Sequence, residues 1–251
     1  MKNEQFNLGL VSVSFRQHRP QEILEAAQKA GISLLEWGSD IHAPCHDTER
    51  LMEIAALQRE YGVTCSSYGT YFRLGETPME ELRHYIAAAK LLGTDVLRLW
   101  CGKKSGADLT EAEKQALLAQ CLEAEKIARE ENVTLCMECH RKTLTERLPD
   151  AIELMERVNS PHFRMYWQPF QWQSEAENLV YAQAIAPYTR NIHVFQWKGE
   201  ARFPLREGIA EWRSYLGQFS LPHTLLLEFM PDDAISSLPD EVRALRTIIG
   251  G

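Results

Sequence analysis

The chain has no run of apolar residues approaching the roughly 18 that a membrane-spanning helix needs. Met1 to Gln5 are followed by no apolar stretch of the kind that marks a secretory leader. Both absences lead to the expectation of a cytoplasmic protein without a membrane partner. Without a secretory leader, the six cysteines read as cytosolic thiols rather than a disulfide framework. Positive charge is in short supply: 27 Lys and Arg stand against 35 Asp and Glu, a formal net charge of −8. Binding to a nucleic-acid backbone rests on clustered basic side chains, so nucleic acid is not the expected partner. A small anionic substrate held by a few local cations remains compatible. There is also no low-complexity tract, charge block or long linker, so residues 1–251 read as one domain.

Alternation is what the chain does have. Short apolar runs at 8–13, 33–37, 64–68, 95–100, 133–137, 163–167, 190–195 and 223–228 read as strands. Between and after them, amphipathic stretches at 20–30, 48–61, 78–92, 111–131, 149–158, 174–185, 209–219 and 239–249 read as helices. Gly31, Gly62 and Gly93 mark helix ends, and Thr110 is placed to cap the long helix that follows it. Strand–helix alternation implies a parallel sheet covered by helices. Eight such units in 251 residues fit a single closed (β/α)8 TIM barrel better than an open sheet.

Side chains alternate between the two faces of a strand. In the fifth strand Val133, Leu135 and Met137 share one face, and Thr134, Cys136 and Glu138 the other. The sixth sets Met165 and Trp167 against Arg164, Tyr166 and Gln168. The seventh sets Ile192 and Val194 against Asn191, His193 and Phe195. The eighth sets Leu225 and Leu227 against Thr224, Leu226 and Glu228. One face is uniformly apolar, as required beneath helices. The other is mixed, and it ends in Glu138, Gln168, His193 and Glu228 at the C-terminal side, where barrel active sites lie. Two carboxylates, an imidazole and an amide oxygen suit a divalent cation: Mn2+ foremost, with Mg2+, Co2+ or Zn2+ also open. Taken singly, each could instead be a buried polar group satisfied by hydrogen bonds. Two glutamates around one site also suit removal and return of a proton next to a carbonyl, with a cation stabilising the enediolate between the steps.

Several pieces, in their order along the chain, resemble the xylose isomerase-like TIM barrel superfamily of sugar and sugar-phosphate isomerases and epimerases. They are Leu-Leu-Glu-Trp-Gly at 34–38 with Asp40 and His42, Leu-Gly-Thr-Asp-Val-Leu-Arg-Leu-Trp at 92–100, and Met-Glu-Cys-His at 137–140. Asn-Ile-His-Val-Phe at 191–195, Pro-Leu-Arg-Glu-Gly at 204–208 with Trp212, and Leu-Leu-Leu-Glu-Phe at 225–229 complete the set. The resemblance covers essentially the whole chain. It implies that Glu138 and Glu228 serve both as metal ligands and as the catalytic acid/base pair, that His193 is the imidazole ligand, and that His140 borders the substrate. It also implies a small carbohydrate substrate and, by analogy, a homo-oligomer. The family usually carries an aspartate at the end of the sixth strand and a histidine three residues on. Here those places hold Gln168 and Gln171. A glutamine oxygen can ligate a metal but brings no charge.

Other residues have two readings each. Arg98 faces the interior and either binds an anionic substrate group or pairs with Glu36; Arg141, Lys142 and Arg147 either bind an anion or are solvated. Trp100, Trp172 and Trp197 either line a sugar pocket or pack in the core, whereas parity places Trp37 and Trp167 under helices. Tyr68 and Tyr71 are within reach of the mouth, and Gln171 and Trp197 join the substrate-binding set. His42 and His46 read as loop residues more readily than as ligands. The Cys136-x-x-Cys139 spacing points its sulfurs to opposite faces, which argues against a zinc or redox pair. The leading expectation is therefore a metal-dependent isomerase or epimerase. The alternatives are a non-catalytic sugar-binding or regulatory barrel with a degenerate metal site, and a metal-dependent phosphodiesterase, for which the histidines are few.

Overall fold

The computed structural model describes residues 6–220 and 222–250; residues 1–5, read above for a leader, lie outside the described residues. Barrel strands and helices alternate: β1 (Phe6–Val11), α1 (Pro20–Ala30), β2 (Leu34–Gly38), α2 (Thr48–Tyr61), β3 (Thr64–Leu74), α3 (Glu81–Leu92), β4 (Val96–Cys101) and α4 (Glu111–Glu131). Then come β5 (Thr134–Glu138), α5 (Leu148–Val158), β6 (Phe163–Trp167), α6 (Glu175–Ile185), β7 (Thr189–Val194), the strands β8 (Trp197–Lys198) and β9 (Ala201–Arg202), α7 (Ile209–Leu216), β10 (His223–Leu227) and α8 (Leu238–Ile249). Eight strands close into a barrel in the order β1-β10-β7-β6-β5-β4-β3-β2, and β8 and β9 form a separate antiparallel pair. Every barrel pairing is parallel. The expected (β/α)8 barrel is thus the fold.

Local chemistry sets the helix ends. Thr110 accepts the Glu113 N–H while the Glu113 carboxylate reaches back to Thr110, a reciprocal cap on α4. α1, α2 and α3 stop where Gly31, Gly62 and Gly93 take left-handed backbone, a conformation that a Cβ would penalise. Among the described residues no helix is long and apolar enough to cross a membrane.

Two strands differ from the sequence reading by more than one residue. β1 stops at Val11, and residues 12–15 form a 3₁₀ turn. The Ser12 and Ser14 hydroxyls there accept the N–H groups of Gly38 and Phe229, each at 2.9 Å. Serine side chains offer the backbone an alternative to the ladder. β3 runs on to Leu74, past the expected end at Tyr68, with its register to β4 shifting between Gly69 and Arg73. Gly69 and Thr70 look like turn residues in the sequence, but here they sit in an irregularity of the strand. The short β8–β9 hairpin was not anticipated.

The core lies mainly between strands and helices. Trp37 is buried there and donates to Gln58 Oε1 on α2 at 2.7 Å. Trp167 packs against Trp212, Tyr215 and Phe219 with ring centroids 5.2 to 5.9 Å apart. A second cluster of Val11, Val13, Val96, Cys136, Tyr166 and Leu226 fills the barrel interior. Cys136 belongs to this inner cluster and Cys139 to the outer core, so the two sulfurs face opposite ways. Replacing Trp167 by alanine should cost about 3–5 kcal/mol of unfolding free energy in urea titration, the range for emptying a large aromatic from a packed core.

Candidate functional site

The C-terminal ends of β5, β6, β7 and β10 bring Glu138, Gln168, His193 and Glu228 together. All four side chains are buried. The Thr145 hydroxyl donates to the Glu138 carbonyl and fixes the turn that follows. Phe229, directly after Glu228, takes left-handed backbone at φ 56°, strain that the Ser14 hydroxyl helps to hold by accepting its N–H.

His193 is the centre. Its Nδ1 lies 3.2 Å from Gln168 Oε1, 3.4 Å from Glu228 Oε2 and 3.5 Å from Glu138 Oε1. On the opposite edge of the ring, Nε2 lies 3.3 Å from Glu36 Oε1. The ligand atoms of Glu138, His193 and Glu228 all lie within 4.8 Å of one another. Atoms bound to one ion by bonds of about 2.1 Å stand about 3.0 to 3.4 Å apart in octahedral or tetrahedral arrangement. The separations around Nδ1 match that spacing. Glu138 Oε2 and His193 Nε2 face away from this point, toward Arg98 and Glu36, at 3.3 Å each. The donor set therefore fits a divalent cation.

From sequence, Glu36 reads only as a partner of Arg98. Its carboxylate is fully buried on β2, accepts from Ser67 Oγ at 2.8 Å and faces both His193 and Arg98. A carboxylate behind a ligating imidazole is a common orienting partner, and this is the signal by which Glu36 could have been found. Gly69 makes the approach possible, since a Cβ there would lie 2.7 Å from Glu36 Oε1 and 3.1 Å from Arg98. Arg98, from β4, stands 3.3 Å from Glu138 Oε2 and 3.8 Å from Glu36 Oε1, and donates to the Thr70 carbonyl. It is therefore internally paired, and it also lines the cavity.

Three carboxylates against one guanidinium leave this cluster with a formal excess of two negative charges when His193 is neutral. Burial opposes charge on His193, but Glu228 and Glu36 outweigh it and hold the imidazole well above its ordinary pKa. Burial and then the neighbouring Glu138 carboxylate push Glu228 up to about 7, against the pull of His193. Burial would also raise Glu138, but Arg98 and His193 prevail and keep it well below the usual carboxylate range.

Above the cluster opens a cavity of about 310 Å³ at the barrel mouth. Trp100 forms one wall between the guanidinium groups of Arg73, 4.2 Å from its ring centroid, and Arg98, 4.6 Å away. Tyr71 meets Trp100 edge-on at 5.0 Å, and His140 lies 5.5 Å from it. Trp197 and Phe229, 5.0 Å apart, also line the cavity, together with Gln171. Of the expected substrate-binding set, His140, Arg98, Trp100, Gln171 and Trp197 line this space.

Tyr68 does not. Strand alternation turns Ser67 inward and Tyr68 outward, under α3, where its hydroxyl donates to the Ala43 carbonyl and its ring lies 6.2 Å from Tyr85. Trp172 is also away from this cavity, half exposed beneath the Arg141 guanidinium. His42 is tied to Ser12 and the His18 carbonyl, and His46 to Glu81 on the outside. Arg16, Arg73 and Phe229 are lining residues that the sequence reading missed, because they come from a turn, a strand extension and a strained position that no periodicity marks.

A divalent cation entering this cluster must displace the proton that Glu228 and Glu36 hold on His193, and below about pH 7 the proton on Glu228 as well. Any affinity of the cluster for a divalent cation should therefore rise with pH, by about tenfold per unit for each proton displaced. Calorimetric titration in buffers of different ionisation heat, from pH 6 to 8, should report proton release, steeper on the acid side.

Residues 24–246 match the family described as the xylose isomerase-like TIM barrel. The 3-dehydroshikimate dehydratase of Bacillus anthracis is 24% identical over 119 residues, which is 47% of this chain and 42% of that relative. The alignment thus spans less than half the length of the curated relative. The crystal structure of the probable 3-DHS dehydratase AsbF, involved in petrobactin synthesis in Bacillus anthracis, superposes with a TM-score of 0.80 at 19% identity, covering 95% of this chain and 98% of that one. The IolI protein with a bound zinc atom gives 0.74 at 14% identity, covering 97% and 98%. D-Psicose 3-epimerase from Clostridium cellulolyticum H10, solved with D-tagatose, gives 0.70 at 12% identity, covering 96% and 97%. At these identities the likeness to the solved structures shows the shared fold.

Proposed function

Because the chain belongs to the xylose isomerase-like TIM barrel family, we propose that it is a metal-dependent isomerase or epimerase of a sugar, sugar phosphate or related hydroxy-carbonyl compound. The observation that carries this reading is the convergence of Glu138 and Glu228 on His193 beneath an aromatic-walled cavity. Glu138, Gln168, His193 and Glu228 would hold the divalent ion, Mn2+ foremost, which when bound supplies Lewis acidity for adjacent substrate oxygens.

The chain's own residues account for the rest. Glu138 and Glu228 come from strands three places apart around the barrel, with β6 and β7 between them. They can therefore address a planar enediolate from different directions, one removing the proton from the carbon beside the carbonyl and the other delivering one. Arg98, held between Glu36 and Glu138, keeps a fixed positive charge at the floor where negative charge develops. Trp100, Trp197 and Phe229 cover the apolar face of the substrate and exclude water.

Turnover in D2O should place deuterium at the substrate carbon, read by NMR. The Glu138→Gln variant should lose about 10²- to 10⁴-fold in kcat, the range for removing a positioned acid or base. If that variant turns over at the rate of the parent, Glu138 is not the acid or base and this mechanism fails; if sugar binds with neither exchange nor bound metal, the protein is a binding barrel rather than an enzyme.

A dehydratase acting on a hydroxy-carbonyl acid is the second reading, favoured by one further observation. Arg73 lines the cavity, and among the described residues no carboxylate lies within ion-pair distance of it. Arg16 is paired with Asp40, and Arg98 with Glu36 and Glu138. A guanidinium at the mouth that is held by the Gly102 carbonyl and the Trp100 ring, with no acid paired to it, suits an anionic substrate group. The first step is the same, loss of the proton beside the carbonyl; the electron pair then expels the hydroxyl one carbon further on, which leaves as water with a proton from the second glutamate. Arg73→Gln should raise KM about tenfold or more for an acidic substrate and leave that of a neutral ketose unchanged, since one charge-assisted contact is lost. Dehydration is told from epimerisation by the ultraviolet absorption of the unsaturated product.

A further inference from the structure

A second group of metal-binding side chains lies outside the barrel, where the segment between β2 and α2 meets the start of α3. This segment is fixed at both ends. The Ala43 N–H donates to the Gly38 carbonyl, and the Ala43 carbonyl accepts from the Tyr68 hydroxyl. Downstream, the Asp47 N–H donates to the Pro44 carbonyl, and the Asp47 side chain caps α2 by accepting the Arg50 N–H. His46 therefore projects from a backbone pinned on either side. Glu81 and His84 occupy positions i and i+3 on the first turn of α3 and so share one face of that helix.

These three side chains converge. His46 Nε2 lies 2.9 Å from Glu81 Oε2, His84 Nδ1 lies 3.5 Å from the same oxygen, and the two rings stand 4.7 Å apart. One ligand atom from each of the three falls within 4.8 Å of the others. Without an ion, neutral imidazoles can donate His46 Nε2–H and His84 Nδ1–H to that one oxygen. A cation satisfies the carboxylate and both nitrogen lone pairs at once.

We propose that His46, Glu81 and His84 hold a divalent cation of the borderline class represented by zinc, cobalt and nickel. Two imidazoles with one carboxylate form a donor set suited to that class. The separations of 2.9 and 3.5 Å bracket those expected of donors around one ion. The side chains of His46 and His84 are 62% and 55% exposed, so an ion reaches them without any opening of the fold, and water completes its coordination. Cys45, the neighbouring residue, hydrogen-bonds Tyr85 instead and supplies no ligand. The ion clasps the segment after β2 to α3. That segment follows Asp40, which anchors Arg16 at the mouth, and α3 follows the strand that carries Tyr71 and Arg73. The rim site stands apart from the barrel cluster, since none of its three residues lines the cavity.

The test is titration of the full-length, metal-free protein with Co2+, followed by visible absorption and by metal analysis after gel filtration. It is run on the parent, on His46→Ala and His84→Ala, and on a Glu228→Gln protein in which the barrel cluster has lost one carboxylate and binds a cation more weakly. Glu228→Gln should retain about one ion per chain, and adding His84→Ala to it should remove that ion or weaken its affinity at least tenfold. Because His46 and His84 are exposed, the variants should fold, which circular dichroism verifies. Zinc should raise the melting temperature of Glu228→Gln but not of the combined variant. If His46→Ala and His84→Ala bind cobalt with the same stoichiometry and affinity as their parents, or if Glu228→Gln binds none, the rim site does not exist. Loss of the barrel ion alone bears on the proposed enzyme site and leaves the rim count unchanged.

Discussion

The structure depends on burying three carboxylates around one imidazole. Glu36, Glu138 and Glu228 all lie within 3.5 Å of His193, and each is at most 6% exposed. Charges taken out of water are expensive unless they are paired and hydrogen-bonded. Arg98 meets two of the three, and Ser67 donates to Glu36. What remains is a negative excess that a divalent cation or protons must neutralise. The barrel makes such crowding possible because strands far apart in sequence hold their ends rigidly around one axis, while the apolar cluster around Val96, Tyr166 and Leu226 closes the interior.

This charge balance gives Gln168 a physical meaning. A carboxylate at that position would add a fourth negative charge around His193. The amide leaves Oε1 at 3.2 Å from Nδ1 without that charge. With Arg98 already present, the formal excess equals the charge of one divalent ion. Replacing an acid by an amide therefore lowers the attraction for a cation without spoiling the neutrality of the filled site. The mouth above follows a different rule. Its walls are aromatic, and its cations differ in their partners: Arg16 and Arg98 face acids, whereas Arg73 is held by Trp100 and the Gly102 carbonyl. A cation held by a ring and a carbonyl keeps its charge available in a way that an ion-paired one does not.

Much of this was legible in the chain. Strand–helix alternation determined the closed parallel barrel, because a strand with one uniformly apolar face and one mixed face has few ways to bury both. Parity alone placed Trp37 and Trp167 beneath helices and Glu138, Gln168, His193 and Glu228 at one end, because side-chain direction in a strand has a period of two whatever surrounds it. Tyr68 is separated from the mouth by its alternation with Ser67, but the phase of that alternation is set by a slip in the pairing of β2 with β3, which leaves Ser66 unpaired.

Only the tertiary structure decided the rest. That Glu36 faces His193 depends on how β2 lies across the barrel from β7, a relation between residues 157 positions apart that no local pattern encodes. The extension of β3 that delivers Tyr71 and Arg73 depends on pairing with β4 beyond a shift in register, and turn-like residues conceal it. Phe229 reaches the cavity through a strained backbone held by Ser14 from the other end of the chain. Local sequence sets which way a side chain points from its own strand, whereas which partners it meets there depends on the closure of the sheet, and closure is a property of all eight strands together.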